Sequence, residues 1–228
     1  GVFAVHSTTG VVTVADKTNI NYEAAQACTV TVKATSSDTS HASTTFSVAV
    51  TDVDEFNVGA PADSNGGANT IGETAASDAT VGVTALSTDA DGTTNTITYT
   101  IASQSCANAF KVGSSSGIVT VDSNTNLDFE TATACTVAIT ATSADSSSAA
   151  TTYTVAVTDI DEADVSTPSD SDSGTNTMAE NVANGATVGV TALATDSDGT
   201  TNTVSYAVSD QSCTSVFGVG SSTGVVTG

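Results

Sequence analysis

Two acidic runs, Thr51-Asp52-Val53-Asp54-Glu55 and Thr158-Asp159-Ile160-Asp161-Glu162, carry the side chains best suited to chemistry. Each run ends an alternating apolar stretch and precedes a polar segment with a single proline, Pro61 or Pro168. Carboxylates crowded at a strand exit repel one another unless positive charge sits among them. A hard divalent cation suits such a set: calcium takes about six to eight oxygen ligands, carboxylates serving partly as bidentate donors. One short run rarely supplies so many, so other acids must converge on each hinge. Solvated loop ends that aid solubility are the competing reading. That reading fits scattered acids such as Asp63, Asp78, Asp170 and Asp172, and fits poorly with acids placed twice at strand ends beside a hinge.

The balance of charge points the same way. Lys+Arg number 3 against Asp+Glu 25, a formal net charge of -22 over 228 residues. Phosphate would be repelled, which excludes nucleic acid and argues against anionic membrane surfaces. A hydrophobic fraction of 39% supports a core, but aromatics are 4% and Trp is absent. That core must come from Val, Ile, Ala and Thr, which favour strands; their pervasive alternation argues against disorder. No apolar run is long enough to span a bilayer as a helix, so no direct membrane insertion is expected of this segment. Without a starting Met or a signal peptide, the sequence reads as a window within something longer.

What positions the hinges is a repeat. Phe3, Phe110 and Phe217 stand at a step of 107, from 3 to 110 and from 110 to 217. The same step relates Cys28 to Cys135, Cys106 to Cys213, Pro61 to Pro168, Glu73 to Glu180 and Asp89 to Asp196, with no gap. A unit of this size matches a sandwich domain and exceeds a solenoid repeat. Within it, Val11 to Val14, Cys28 to Ala34, Phe46 to Val50, Val81 to Ala85 and Ile97 to Ile101 alternate as strands, separated by Gly and Asp-Gly turns. Helical periodicity is absent. Hinge-to-hinge framing predicts one complete domain over 58–162, the back half of a preceding one over 1–57, and the front part of a following one over 163–228. A half-sandwich exposes an apolar face and open edges. The expectation is therefore that the molecule continues covalently at both ends, or that neighbouring chains complete the halves.

In the order of motifs along one unit, the chain supplies Ala179-Glu180-Asn181, Asp196-Ser197-Asp198, Phe110 with Ser116-Gly117-Ile118 (Thr9-Gly10-Val11 in the preceding unit), Leu127-Asp128-Phe129-Glu130, Ala141 with Asp145, and Asp159-Ile160-Asp161-Glu162. This series resembles the cadherin repeat over the whole length. The Asp-Val-Asp-Glu hinge is similar to the linker of bacterial and other non-animal cadherin-like repeats. Departures are Asn21 where the next unit has Asp128, Thr74 after Glu73 in place of Asn, and Cys135 where the family places an aromatic.

The resemblance implies an all-β fold of tandem immunoglobulin-like, cadherin-type Greek-key sandwiches joined by calcium-binding linkers. It further implies that ligands gather from the bottom of one unit, the linker and the top of the next. For the first junction these are Asn21, Glu23, Asp52, Asp54, Glu55, Asp89, Asp91 and Asp145. For the second they are Glu73, Asp128, Glu130, Asp159, Asp161, Glu162, Asp196 and Asp198, with Asp164 as a further donor. Glu180 opens the same set for the unit that follows.

Cys106 and Cys135 both lie near strand ends and recur in register. A disulfide between them is the simple reading, with four buried free thiols as the alternative. A bridge would imply an oxidising compartment. Cys28 and Cys213 would then need partners outside this stretch.

The sequence offers no catalytic reading. His6 and His41 map onto Gly113 and Ser148 one unit later. No phosphate loop, nucleophile elbow or metalloprotease pattern is present, and the serines lack a recurring His and Asp. Neither an EF-hand spacing nor a zinc cluster occurs. Lys17 and Lys33 map onto Asn124 and Thr140, which disfavours isopeptide staples. Two functions remain as expectations. One is a calcium-stiffened segment of an extracellular fibre, surface filament or adhesin stalk, with further copies of the repeat as partners. The other is a carbohydrate- or protein-binding module acting through its loops. Ser/Thr-rich loops could carry O-linked sugars, and no Asn-x-Ser/Thr sequon is present.

Overall fold

Alternating β-branched residues build sixteen strands and no helix in the computed structural model, which describes residues 1–228. Strands β1 (Phe3–Val5) and β2 (Val12–Val14) form a hairpin, and β3 (Ala27–Thr35) and β4 (His41–Ala49) form a second, separate pair. Then come β5 (Ala62–Asp63), β6 (Thr70–Gly72), β7 (Thr80–Leu86), β8 (Thr98–Gln104), β9 (Phe110–Val112), β10 (Ile118–Val121), β11 (Ala134–Thr142) and β12 (Ser148–Thr158). These eight make two four-stranded sheets, β5-β7-β10-β9 and β6-β12-β11-β8. The last stretch adds β13 (Ser169–Asp170), β14 (Thr187–Leu193), β15 (Gly218–Val219) and β16 (Val225–Thr227), joined as β13-β14-β16-β15.

Pairing is antiparallel throughout, except that β6 runs parallel to β12. This parallel pair brings Thr70 to Gly72 alongside Ala156 to Thr158, so Glu73 emerges beside the second hinge. The long hairpin β11–β12 is held in register over nine residue pairs, from Ala134 opposite Ala156 to Thr142 opposite Ser148. Its turn places Ser146 at φ 77, and Asp145 Oδ1 accepts the Ser147 N–H at 2.7 Å. The earlier hairpin β3–β4 repeats this device, with Thr39 at φ 71 and Asp38 accepting the Ser40 N–H at 3.0 Å.

The contiguous apolar core lies between Val58 and Val157, with Val188 and Ala194 the buried apolar residues beyond it. Val81, Val83 and Val119 face Val137, Ile139 and Val155 across it, all essentially shielded from water. In residues 1–57 no side chain is buried. Phe46 and Val14 are 52% and 57% exposed, whereas their equivalents one step later, Tyr153 and Val121, are 7% and 0% exposed. The residue types match; what differs is the sheet opposite.

Cys106 and Cys135 are joined in a disulfide, with a Cα–Cα distance of 5.6 Å and a separation of 29 residues. Cys28 is a half-buried free thiol and Cys213 an exposed one. A cross-link closing that loop stabilises by roughly 3–4 kcal/mol in the chain-entropy model. Replacing both Cys106 and Cys135 by serine is expected to lower unfolding stability by about that much. Equal denaturant midpoints for the variant and the parent chain would reject this.

Several scattered acids serve the scaffold. Asp63 Oδ1 accepts the N–H groups of Asn65 and Thr84, both at 3.0 Å. Asp170 repeats this with Asp172 and Thr191, also at 3.0 Å. Lys111 Nζ lies 2.7 Å from Asp78.

Candidate metal centre

At the first junction, carboxylate oxygens of Glu23, Asp52, Glu55 and Asp91 all come within 4.8 Å of one another. Glu23 lies in the turn before β3, Asp52 and Glu55 belong to the hinge after β4, and Asp91 lies in the loop after β7. Three segments far apart in sequence thus meet in one place. At the second junction the equivalents one step later, joined by Glu73, divide into two overlapping groups. Glu130 stands with Asp159 and Asp198 in one, and with Glu73 and Glu162 in the other.

Local hydrogen bonds aim these groups. The Thr94 hydroxyl donates to Asp91 Oδ2 at 2.7 Å, and the Thr201 hydroxyl donates to Asp198 Oδ2 at the same distance. Both aspartates are held below the usual carboxylate range, first by these hydroxyls. Asp89 Oδ1 accepts the Asp91 N–H at 3.1 Å and Asp196 Oδ1 the Asp198 N–H at 3.2 Å. Buried Glu73 is a clasp: Oε2 accepts the Phe129 N–H at 2.6 Å and Oε1 the Ile160 N–H at 2.8 Å. Thr93 donates its hydroxyl to Asp52 across the first junction.

Seven buried side-chain oxygens have no hydrogen-bond partner, and five are junction carboxylates: Asp52 Oδ1, Asp89 Oδ2, Asp91 Oδ1 and both oxygens of Asp159. A shielded carboxylate oxygen without a donor is costly. The neighbouring acids add repulsion. Desolvation, then Glu73, Glu130 and Asp198, push the Glu162 carboxyl up to about 7. Glu55 is raised by desolvation and then by Glu23 and Asp91. Asp54 is raised by desolvation and then by Asp145 and Asp91. A donor set made only of carboxylate oxygens, partly dehydrated and mutually repelling, fits a hard divalent cation.

The remaining sequence-predicted donors stand outside the tight groups. Asn21 Oδ1 accepts the Ala24 N–H at 2.9 Å, and Asp128 accepts the Thr131 N–H at 2.8 Å and its hydroxyl at 2.9 Å. Both therefore cap the turn that presents Glu23 or Glu130. Asp145 binds its own turn and lies close enough to Asp54 to raise it. Asp161, Asp164 and Glu180 belong to none of the groups.

Sequence reasoning missed two glycines and the rings they touch. A Cβ on Gly92 would sit 2.6 Å from Tyr22 Cδ1 and 3.1 Å from Glu23 Oε1. A Cβ on Gly199 would sit 2.8 Å from Phe129 Cδ1 and collide with Glu130 Oε1. Each Asp-Gly loop thus lies flush against the aromatic-glutamate pair of the preceding unit. The signal was legible in Tyr22-Glu23 and Phe129-Glu130, which share the 107 step with Gly92 and Gly199.

One two-sheet sandwich flanked by partial units of the same repeat, with a cluster of acids at each seam, defines a class of all-β tandem repeat. The Cadherin domain family model matches residues 69–158, and this part of the chain is a cadherin-like domain. The full chain resembles the crystal structure of mouse cadherin-23 EC22-24 with a TM-score of 0.72 and 22% identity, covering 100% of this chain and 71% of that one. Human CDH23 EC21-23 gives 0.73 and 23%, covering 99% and 70%. Extracellular cadherin domains 3-6 of protocadherin gamma B2 give 0.65 and 21%, covering 99% of this chain and 56% of that one. At these identities the likeness is one of fold: tandem cadherin-type β-sandwiches. A search of curated proteins finds no match.

Proposed function

We propose that this chain is a calcium-stiffened segment of an extracellular structural or adhesion protein, its units locked at the seams by shared cations. The unit limits in this reading are 1–57, 58–162 and 163–228. The observation that carries it is the set of buried, donorless carboxylate oxygens found where two units meet. Glu23, Asp52, Glu55 and Asp91 would hold the ion at the first seam, and Glu73, Glu130, Asp159, Glu162 and Asp198 at the second. Bound calcium supplies positive charge and a common ligand to residues of both units. Glu73, Thr94 and Thr201 hold the acids in place beforehand, so little ordering remains to be done on binding. A cadherin-like domain is typically a non-enzymatic module, and this reading needs no catalysis. The cystine and the cadherin-type fold support an extracellular or cell-surface setting; no helix is long and apolar enough to cross a membrane.

Small-angle scattering tests the reading. In calcium the profile should be that of an extended, stiff particle. In EGTA the acids repel, the seams loosen, and the distance distribution should broaden. Identical profiles in the two conditions would reject the clamp.

A further inference from the structure

Asparagine is followed by glycine at Asn65-Gly66 and at Asn184-Gly185. Such a pair holds a latent reaction. With no Cβ on the second residue, its backbone nitrogen can approach the preceding side-chain carbonyl carbon and displace ammonia. In a folded chain the outcome depends on what holds that nitrogen.

The two places differ in this respect. Gly185 donates its N–H to Gly228 O at 2.6 Å, the bond that Asp78 makes to Val121 O at 2.8 Å in the complete unit. Gly66 lies in the exposed connection between β5 and β6, and its N–H has no hydrogen-bond partner. No atom lies within 4 Å of where a Cβ on Gly66 would stand, so its backbone can turn freely. Asn65 is already folded back toward it. Its Oδ1 accepts the Gly67 N–H at 2.8 Å, and the ring closed by that bond contains both the Asn65 Cγ and the Gly66 nitrogen. The same N–H polarises the carbonyl and faces the oxygen on which negative charge builds as the nitrogen adds. Asp63 Oδ1 fixes the turn to β7, accepting the N–H groups of Asn65 and Thr84, both at 3.0 Å.

A second observation concerns the product. One step later the place of Asn65 is taken by Asp172. Its Oδ1 accepts the Gly174 N–H at 2.7 Å, and Asp170 Oδ1 accepts the Asp172 N–H at 3.0 Å. The repeat thus accommodates a carboxylate in this same turn.

We propose that Asn65 is a self-modifying site, which deamidates through a succinimide formed with Gly66 and converts its turn to the acidic form present at Asp172. A solvent base takes the Gly66 N–H proton as the nitrogen bonds to Cγ. The bond from Cγ to Nδ2 then breaks, and ammonia leaves with a proton from water. Water opens the cyclic imide at either carbonyl. Opening at one gives aspartate, which keeps the turn and adds a negative charge. Opening at the other gives isoaspartate, which routes the main chain through the side-chain carbon and lengthens the link between β5 and β6, strands of different sheets. Water is the only co-reactant. The change runs one way, so the charge of the turn follows the age of the chain. The site lies outside both acidic seams and uses none of their residues.

The test is timed incubation of the 228-residue chain at physiological temperature, from neutral to mildly alkaline pH, with peptide mapping. The Asn65 peptide should gain about 1 Da, divide into aspartate and isoaspartate forms, and release an equal amount of ammonia, faster as pH rises. Hydroxylamine, which captures the imide, should cut the chain between residues 65 and 66. Asn184 should convert at least about tenfold more slowly than Asn65 in the folded chain, and at a matching rate in denaturant, where its neighbour's hydrogen bond is gone. Gly66→Ala should slow conversion of Asn65 by about tenfold, and Asn65→Asp should unfold at the same temperature as the parent chain. Four results would overturn the proposal: Asn65 intact while denatured chain deamidates, aspartate formed with no isoaspartate and no hydroxylamine cut, Asn184 converting as fast as Asn65 in the folded chain, or Asn65→Asp destabilising the fold.

Discussion

Asp159→Asn is expected to weaken calcium binding at the second junction at least about tenfold, or about 1.4 kcal/mol, and to raise stability when calcium is absent. Both carboxylate oxygens of Asp159 are buried without a donor, beside Glu130 and Asp198. Without an ion this is an uncompensated charge among like charges, which disfavours the folded state. The amide removes the charge at nearly constant volume and can donate to the neighbouring carboxylates. With an ion, the loss of one anionic ligand dominates and the sign reverses. Calorimetric titration with calcium and thermal unfolding in EGTA read the two halves. Asp172→Asn, outside both seams, serves as the control. Lower stability of Asp159→Asn in EGTA, or unchanged calcium affinity, would show that the seam is not a cation site.

The second large effect is steric. Gly199→Ala is expected to weaken calcium binding at the second junction and loosen that seam, although alanine carries no charge and removes no ligand. Its Cβ would overlap the Glu130 carboxylate and the Phe129 ring. Such overpacking typically costs about 1–3 kcal/mol. Relief requires the ring or the glutamate to move, and that glutamate belongs to both acid groups. Gly66→Ala, with no atom within 4 Å of its Cβ, is the control. Matched calcium isotherms and scattering profiles for the two variants would remove the Asp-Gly loop from the seam.

The hinge acids were legible in the sequence because they recur at the same step as the cores they punctuate. Carboxylate oxygens of Glu23, Asp52, Glu55 and Asp91 lie within 4.8 Å of one another. Asn21 and Asp128 belong to the same expected sets, and their oxygens accept N–H groups three residues away. A local turn competes for a short polar side chain, and sequence position cannot show which partner wins. Glu73 was legible as a hinge acid but not as a clasp. Its two backbone donors lie 56 and 87 residues away and meet it only because β6 runs beside β12.

The order of residues by itself determined the repeat, the strand-forming alternation, the acidic seams and the matched cysteines, since each is a pattern along one chain. Tertiary structure alone decided which of those patterns are realised. Residues 98–104 and 205–211 share a tyrosine and a terminal glutamine at matching positions, but only the first becomes a strand. A strand needs a neighbour for its backbone hydrogen bonds: β8 has β11 beside it, whereas residues 205–211 pair with no strand. Val14 and Val121 differ for the same reason, because burial is a property of the opposing sheet and not of the residue.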